Sequence, residues 1–94
     1  MIPLAILGGA LIGAAIMVFL IRYKDVLKWF QKKVPIDKDH VGVTLKKQLD
    51  NGNFKVLKVG FNKSTNNIEE HELNEAEQID EELASKSNSF VVEY

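Results

Sequence analysis

An uninterrupted apolar run lies near the N-terminus of this chain. The segment from Ile2 to Ile21 contains no charged side chain, and 11 of its 20 residues are Leu, Ile, Val or Phe. A helix of about 20 residues is about 30 Å long, the thickness of the hydrocarbon core of a bilayer. A 94-residue chain has little other apolar surface to enclose a helix that is hydrophobic on every side. The run therefore predicts a transmembrane helix over residues 1–21.

The flanks of the run argue against a cleaved signal peptide and indicate an orientation. A signal peptide has basic residues before its apolar stretch and a small-residue cleavage site after it. Here no Lys or Arg precedes the run, and Arg22, Tyr23 and Lys24 follow it. Because basic residues collect on the cytoplasmic side of a span, we expect the N-terminus outside and the C-terminus in the cytoplasm.

Small residues recur within the apolar run at helical spacing. Ala5, Gly9 and Gly13 are four residues apart, and Gly9 and Gly13 form a G-x-x-x-G unit. Such a ridge lets the backbones of two membrane helices approach closely. These residues are a candidate face for association with another transmembrane helix, either a second copy or a partner. The alternative is that glycine and alanine are simply frequent in spans.

A basic, aromatic segment follows over residues 22–34 and predicts an amphipathic juxtamembrane helix. It ends at Val34-Pro35, since the residue before proline avoids helical dihedrals. Residues 22–33 carry a net charge of +4. Aromatic and basic side chains at this position favour the bilayer surface and anionic lipid headgroups. The predicted lipid-interface residues are Arg22, Tyr23, Lys24, Lys28, Trp29, Phe30, Lys32 and Lys33.

Composition excludes several kinds of site. The chain has no cysteine, so disulfides and thiolate metal sites are impossible, and its two histidines make a zinc site improbable. No arrangement of nucleophile, base and orienting group is visible, so we expect neither an enzyme nor a cofactor. Residues 34–63 carry +3 and residues 64–94 carry −8. The lysines would thus face acids of the same domain, and we expect no nucleic-acid partner.

Residues 35–84 predict a small domain built on a β-hairpin. Val41 to Leu49 alternates apolar and polar side chains, as a half-buried strand does. Asn51-Gly52 is the strongest short signal for a hairpin turn, and Phe54 to Phe61 then reads as the returning strand. Its alternation slips between Val56 and Leu57, which favours a bulge or twist there.

The acidic half of the domain predicts a short helix and a tail. Asn74 with Glu77 three residues later is typical of a helix start, while residues 68–73 leave a third strand open. Residues 85–94 read as a flexible tail whose apolar end could add a strand to the sheet or to a partner. Possible partner-binding residues are Ile79, Leu83, Phe90, Val91, Val92 and Tyr94.

The sequence as a whole predicts an α+β membrane protein. Its transmembrane helix continues into a basic amphipathic helix, followed by an antiparallel sheet of two or three strands and one short acidic helix. The corresponding function is a membrane-anchored interaction or accessory protein. Its span associates with another transmembrane helix, and its small domain binds an unidentified cytoplasmic protein. The alternative is a membrane-active oligomer, such as a holin-like or toxin-like pore former.

Overall fold

The described part of the chain, residues 14–94 of the computed structural model, consists of strands and two helices. In chain order these are β1 (Ile16–Ile21), α1 (Tyr23–Lys33), β2 (His40–Gln48), β3 (Phe54–Asn62), β4 (Asn67–Ile79), α2 (Glu81–Ala84) and β5 (Ser89–Val92). The sheet runs in the order β1-β4-β3-β2-β5. β1 lies parallel to β4, and the other neighbouring pairs are antiparallel. Among the described strands, β1 and β5 are therefore the two edges.

The β-hairpin at the centre of the sheet is confirmed. β2 and β3 pair in an unbroken register, from His40 opposite Asn62 to Gln48 opposite Phe54. Gly52 in the connecting turn has φ of 89°, a conformation that glycine adopts without strain. The register of β3 with β4 shifts after Gly60, so the irregularity lies beyond the predicted Val56–Leu57 position.

Helix α1 packs across one face of the sheet through an apolar stripe. Val26 and Phe30 are completely buried, and Val34 just after the helix is nearly so. The helix lies very close to the sheet: a Cβ on Gly42 would lie 2.7 Å from Phe30 Cδ1, and one on Gly60 would lie 2.6 Å from Val34 Cγ2. The two glycines therefore set the depth at which α1 packs.

Strand β3 is buried on both of its faces. Val56 belongs to the core beneath α1, whereas Leu57, Val59 and Phe61 belong to a second apolar cluster with Val43 and others. Because successive side chains of a strand point to opposite faces, this second cluster lies on the face away from α1. Burial on both faces explains why Val56 and Leu57 are adjacent apolar residues, a pattern from which the sequence predicted a bulge or twist.

The predicted membrane span over residues 1–21 is wrong, because its last six residues are strand β1. No helix within residues 14–94 has the length and apolar character needed to cross a bilayer; α1, the longer helix, has 11 residues. The single-pass topology with outside N-terminus and cytoplasmic C-terminus is contradicted with it. A continuous apolar run has no period that separates helix from strand, and β-branched residues such as Ile16, Val18 and Ile21 suit strands.

The remaining fold prediction also needs correction. The sheet of the described residues has five strands and is mixed, rather than two or three antiparallel strands. The predicted acidic helix beginning at Asn74 is instead the second half of β4, in which Ala76 pairs with both Phe54 and Val18. The helix that does form, α2, has only four residues and is capped by Asp80. Pairing on both sides of β4 overrides the local preference for a helix start.

Candidate functional site

Strand β1, at one edge of the sheet formed by the described residues, carries several exposed apolar side chains. Ile16, Met17, Phe19 and Leu20 are 57%, 61%, 62% and 39% exposed. They account for four of the six exposed large apolar side chains found within residues 14–94. Single apolar residues on a surface are ordinary, but a contiguous group on one strand is a candidate interaction site. We call these four residues, with Val18 between them, the β1 edge.

Within residues 14–94, no strand pairs with the outer side of β1. The carbonyl of Ile21 accepts a hydrogen bond from the N–H of Asp80 (3.1 Å), so the backbone groups of Ile21 point towards β4. Because these groups alternate along a strand, those of the adjacent Leu20 point to the outer side. Exposed edges in proteins are usually protected by lysine, proline or a bulge. The six residues of β1 include no lysine and no proline.

The C-terminal end of β1 is firmly attached to the rest of the domain. Asp80 accepts hydrogen bonds from the N–H of Tyr23 (3.1 Å) at the start of α1 and from the N–H of Leu83 (2.9 Å) in α2. Ile21 is buried in the core beneath α1, and Val18 pairs with Ala76. One carboxylate thus fixes the first turns of both helices where β1 ends, and the β1 edge is held in an extended conformation.

A groove of about 220 Å³ runs beside the β1 edge on the α1 side of the sheet. An ion pair lies in it: Lys58 Nζ is 2.8 Å from Glu72 Oε2 and 5.3 Å from the centroid of the Trp29 ring. The groove is lined by Val18, Leu20, Ile21, Asp25, Lys58, Glu72 and Asn74. Because Lys58 and Glu72 neutralise each other, the groove presents paired charge and apolar β1 side chains to an incoming strand.

The opposite edge of the sheet is shorter and less apolar at its surface. β5 has four residues and pairs with β2 from Gly42 to Leu45. Val91 is its exposed large apolar side chain, at 60%. Phe90 is half-buried, with its ring centroid 6.2 Å from that of Tyr23. β5 therefore provides a natural comparison for experiments on the β1 edge.

The predicted lipid-interface residues separate into two groups. Phe30 is fully buried, and Tyr23 and Trp29 are half-buried against the core beneath α1. The basic members remain on the exposed surface, namely Arg22, Lys24, Lys28, Lys32 and Lys33. The aromatic side chains therefore stabilise the domain, while binding of these lysines to anionic lipid stays a prediction. The proposed helix-association residues Ala5, Gly9 and Gly13 lie outside the described residues.

Most of the predicted partner-binding residues contribute to the core. Leu83 and Val92 are buried, and Tyr94 stacks on Phe30 with ring centroids 5.4 Å apart. Ile79 and Phe90 are half-buried, and Val91 is exposed. The structure brings all of these residues except Val91 together at the α1 side of the sheet and leaves little of them for a partner. In the sequence, the residues of the β1 edge are distinguished by their apolar character. The predicted transmembrane helix interpreted that character as contact with lipid.

The described residues also include a small hydrogen-bond network around His40. Its Nδ1 lies 2.7 Å from Asp37 Oδ1 and its Nε2 lies 2.7 Å from Glu69 Oε1. These bonds, to Asp37 first and then to Glu69, raise the pKa of His40 above its ordinary value of 6.5. No group of three or more His, Asp or Glu within residues 14–94 is placed to hold a metal ion.

Neither protein-family models nor curated proteins nor solved structures gave a match to this chain. The β1 edge combines apolar side chains on both faces of a strand, outward-pointing backbone groups and a rigid attachment. These are the requirements for adding a strand from another polypeptide.

Proposed function

We propose that this chain is a protein-interaction module that binds an extended, apolar segment of a partner protein along β1. The observation that carries the proposal is the concentration of exposed apolar side chains on an uncharged edge strand. Burial of apolar surface contributes about 25 cal/mol per Å², and the backbone of a partner strand would satisfy the outward groups of β1. The backbone pairing requires the partner segment to be extended.

The chemistry of the edge defines the partner segment. Its backbone would bond to Leu20, which gives affinity without sequence preference. Side chains on the face away from α1 would contact Met17 and Phe19, which favours apolar residues at alternate positions. On the α1 face they would enter the groove above the Lys58–Glu72 pair. An uncharged strand with apolar residues on at least one face fits this surface.

A substitution at the open edge tests the proposal. Leu20→Pro removes an N–H that points to the open side, so the pairing of β1 with β4 is retained. Proteins retained by the immobilised full chain would be identified, and the affinity of each purified partner measured by titration. The loss of an edge hydrogen bond, with the steric effect of the ring, should weaken binding by about tenfold.

Val91→Lys on β5 is the matched control, because it changes an equally exposed residue on the other edge. Partners of the β1 edge should bind this variant as they bind the wild type. Unchanged binding by Leu20→Pro, or an equal loss in both variants, would exclude β1 as the binding surface.

A further inference from the structure

Helix α1 carries a row of lysines on the side that faces away from the sheet. Lys24, Lys28 and Lys32 are all exposed, and the two buried residues of the helix lie on its opposite side. Because residues four positions apart are neighbours on a helix surface, the three ammonium groups form one line along α1. Lys33 adds a further exposed charge in the last turn. We call Lys24, Lys28 and Lys32 the lysine row.

No residue within 14–94 pairs with the side chains of the lysine row, either in an ion pair or in a hydrogen bond. The acid of the helix, Asp25, is paired with Arg22 at 3.1 Å. Like charges four residues apart destabilise a helix, so the row is an unfavourable feature that the described domain does not offset. An anionic surface outside the protein would offset it. Because the row lies on the outside of a helix rather than in a groove, a broad surface fits it.

The acids of α2 restrict such a contact to the C-terminal half of α1. Asp80 accepts a hydrogen bond from the N–H of Tyr23 in the first turn of α1, and Glu81 and Glu82 follow it on the exposed surface. Their carboxylates would repel an anionic surface at the end of the helix where Lys24 lies. The basic residues of the last two turns are therefore the ones that an anionic surface would contact.

An exposed apolar side chain lies beside this basic end of α1. Ile36, three residues after Lys33, is 77% exposed, the highest value among the large apolar side chains of residues 14–94. The neighbouring acid, Asp37, is already bonded to His40 Nδ1. An apolar side chain next to lysines fits the boundary between lipid headgroups and acyl chains, which accommodates both kinds of group. A nucleic acid supplies phosphates but no apolar layer beneath them.

We propose that the C-terminal half of α1 binds the surface of an anionic bilayer through Lys28, Lys32 and Lys33, with Ile36 entering the layer beneath the headgroups. Each lysine near such a surface strengthens binding by about fivefold. The helix lies on the bilayer and does not cross it, in contrast to the predicted transmembrane helix. The contact goes beyond the proposed function, because β1 takes no part in it.

Co-sedimentation of the full chain with vesicles tests the contact. The vesicles consist either of phosphatidylcholine alone or of phosphatidylcholine mixed with phosphatidylserine. We expect stronger binding to the mixed vesicles, and salt should remove the difference because it screens exposed charges. The apolar residues before β1 are the same in every protein compared, so the ratio of binding to the two kinds of vesicle reports the contribution of charge.

Charge reversal on the row locates the contact. Lys28→Glu combined with Lys32→Glu should weaken binding to the mixed vesicles by about 25-fold or more. Lys47→Glu combined with Lys63→Glu is the matched control, since it changes the net charge equally at two exposed positions outside α1. This control, and Lys28→Arg combined with Lys32→Arg, should bind as the wild type does. Circular dichroism and thermal unfolding would show that each variant is folded.

Several outcomes would overturn the proposal. Equal binding to both kinds of vesicle, or an equal loss in the matched control, excludes the lysine row as the contact. A loss in Lys24→Glu as large as that in Lys28→Glu excludes its placement at the C-terminal half of α1. Ile36→Ser should weaken binding to the mixed vesicles, and unchanged binding would exclude its entry into the bilayer.

The nature of the anionic partner is tested by competition. Duplex DNA, polyglutamate and inorganic phosphate would each be added to the protein bound to mixed vesicles. We expect the protein to stay with the vesicles in all three cases. Displacement by DNA or by polyglutamate would identify a nucleic acid or an acidic protein as the partner and overturn the bilayer. Displacement by inorganic phosphate would identify free phosphate as the ligand, with the same consequence.

Discussion

Lys58 and Glu72 form an ion pair across β3 and β4, with 2.8 Å between Nζ and Oε2. The two sides of the pair differ in exposure: the side chain of Lys58 is 8% exposed and that of Glu72 is 33% exposed. The ammonium also lies over the Trp29 ring. The buried ammonium of Lys58 therefore needs Glu72 as its counter-charge. Glu72 depends less on Lys58, because its carboxylate can be hydrated.

This asymmetry predicts unequal effects of removing the two partners. Glu72→Gln leaves a buried ammonium without its counter-charge and should lower the free energy of unfolding by about 3 kcal/mol. Lys58→Met removes the buried charge and should cost less, because the remaining carboxylate reaches solvent. Urea denaturation of both variants measures the difference. Equal losses, or a larger loss for Lys58→Met, would show that the pair is not asymmetric.

The His40 network predicts a pH-dependent contribution to stability. Hydrogen bonds to Asp37 and Glu69 raise the pKa of His40 in the folded protein, so the contribution of protonated His40 to stability is fully present below pH 6.5. This contribution is lost as the pH rises through the raised pKa of His40. The hydrogen bond from His40 lowers the pKa of Asp37, and those from Asn62 and His40 lower that of Glu69. Their contribution is lost as the pH falls through those lowered pKa values.

Stability measured against pH therefore distinguishes the wild type from a His40→Gln variant. At pH values above the pKa values of Asp37 and Glu69 but below that of His40, the wild type should have stability that the variant lacks. At alkaline pH the difference between the two proteins should shrink. Thermal unfolding from pH 4 to pH 9 provides the measurement, and parallel curves for the two proteins would contradict the assignment.

Thr44 predicts a substitution that stabilises the protein. Its side chain is fully buried, and its Oγ1 has no hydrogen-bond partner among the described residues. Burying a hydroxyl without a partner costs about 1–3 kcal/mol, so Thr44→Val should raise the free energy of unfolding by about 1 kcal/mol. Thr44→Ser keeps the hydroxyl and loses a methyl group, so it should be destabilising. A destabilising Thr44→Val would mean that the hydroxyl has a partner.

The parts of the fold that sequence predicted are those encoded by neighbouring residues. The β2–β3 hairpin depends on Asn51-Gly52 and on the alternation in the strands beside it, and both are local. The strand Ile16–Ile21 depends on β4: the side chain of Asn74 donates to the carbonyl of Ile16 across 58 positions in the chain. An apolar run without a hydrophobic period does not specify whether it forms a helix or a strand.

The candidate site was missed for the same reason. The residues of the β1 edge were recognised as apolar, but a helical span assigns all of them to lipid and leaves none for a protein partner. The C-terminal residues were expected to bind a partner because they form an apolar end on a polar tail. In the structure, Val92 and Tyr94 instead complete the core beside Phe30. Whether an apolar segment is core or surface depends on the long-range pairing of strands.

Gly60 and Val34 predict a coupled pair of substitutions at the contact between sheet and helix. A Cβ at Gly60 would lie 2.6 Å from Val34 Cγ2, which is closer than two carbon atoms pack. Gly60→Ala should therefore cost about 1–3 kcal/mol by overpacking. Val34→Ala alone should cost about 1 kcal/mol or more because it leaves a cavity.

Combining the two substitutions tests the cause of the loss. In the double variant, the methyl group on residue 60 occupies the space left by the truncated Val34 side chain. The double variant should therefore lose less free energy of unfolding than the sum of the two single losses. The coupling energy follows from urea denaturation of all four proteins. Strict additivity would mean that α1 shifts away from the sheet rather than packing against Gly60 at a fixed depth.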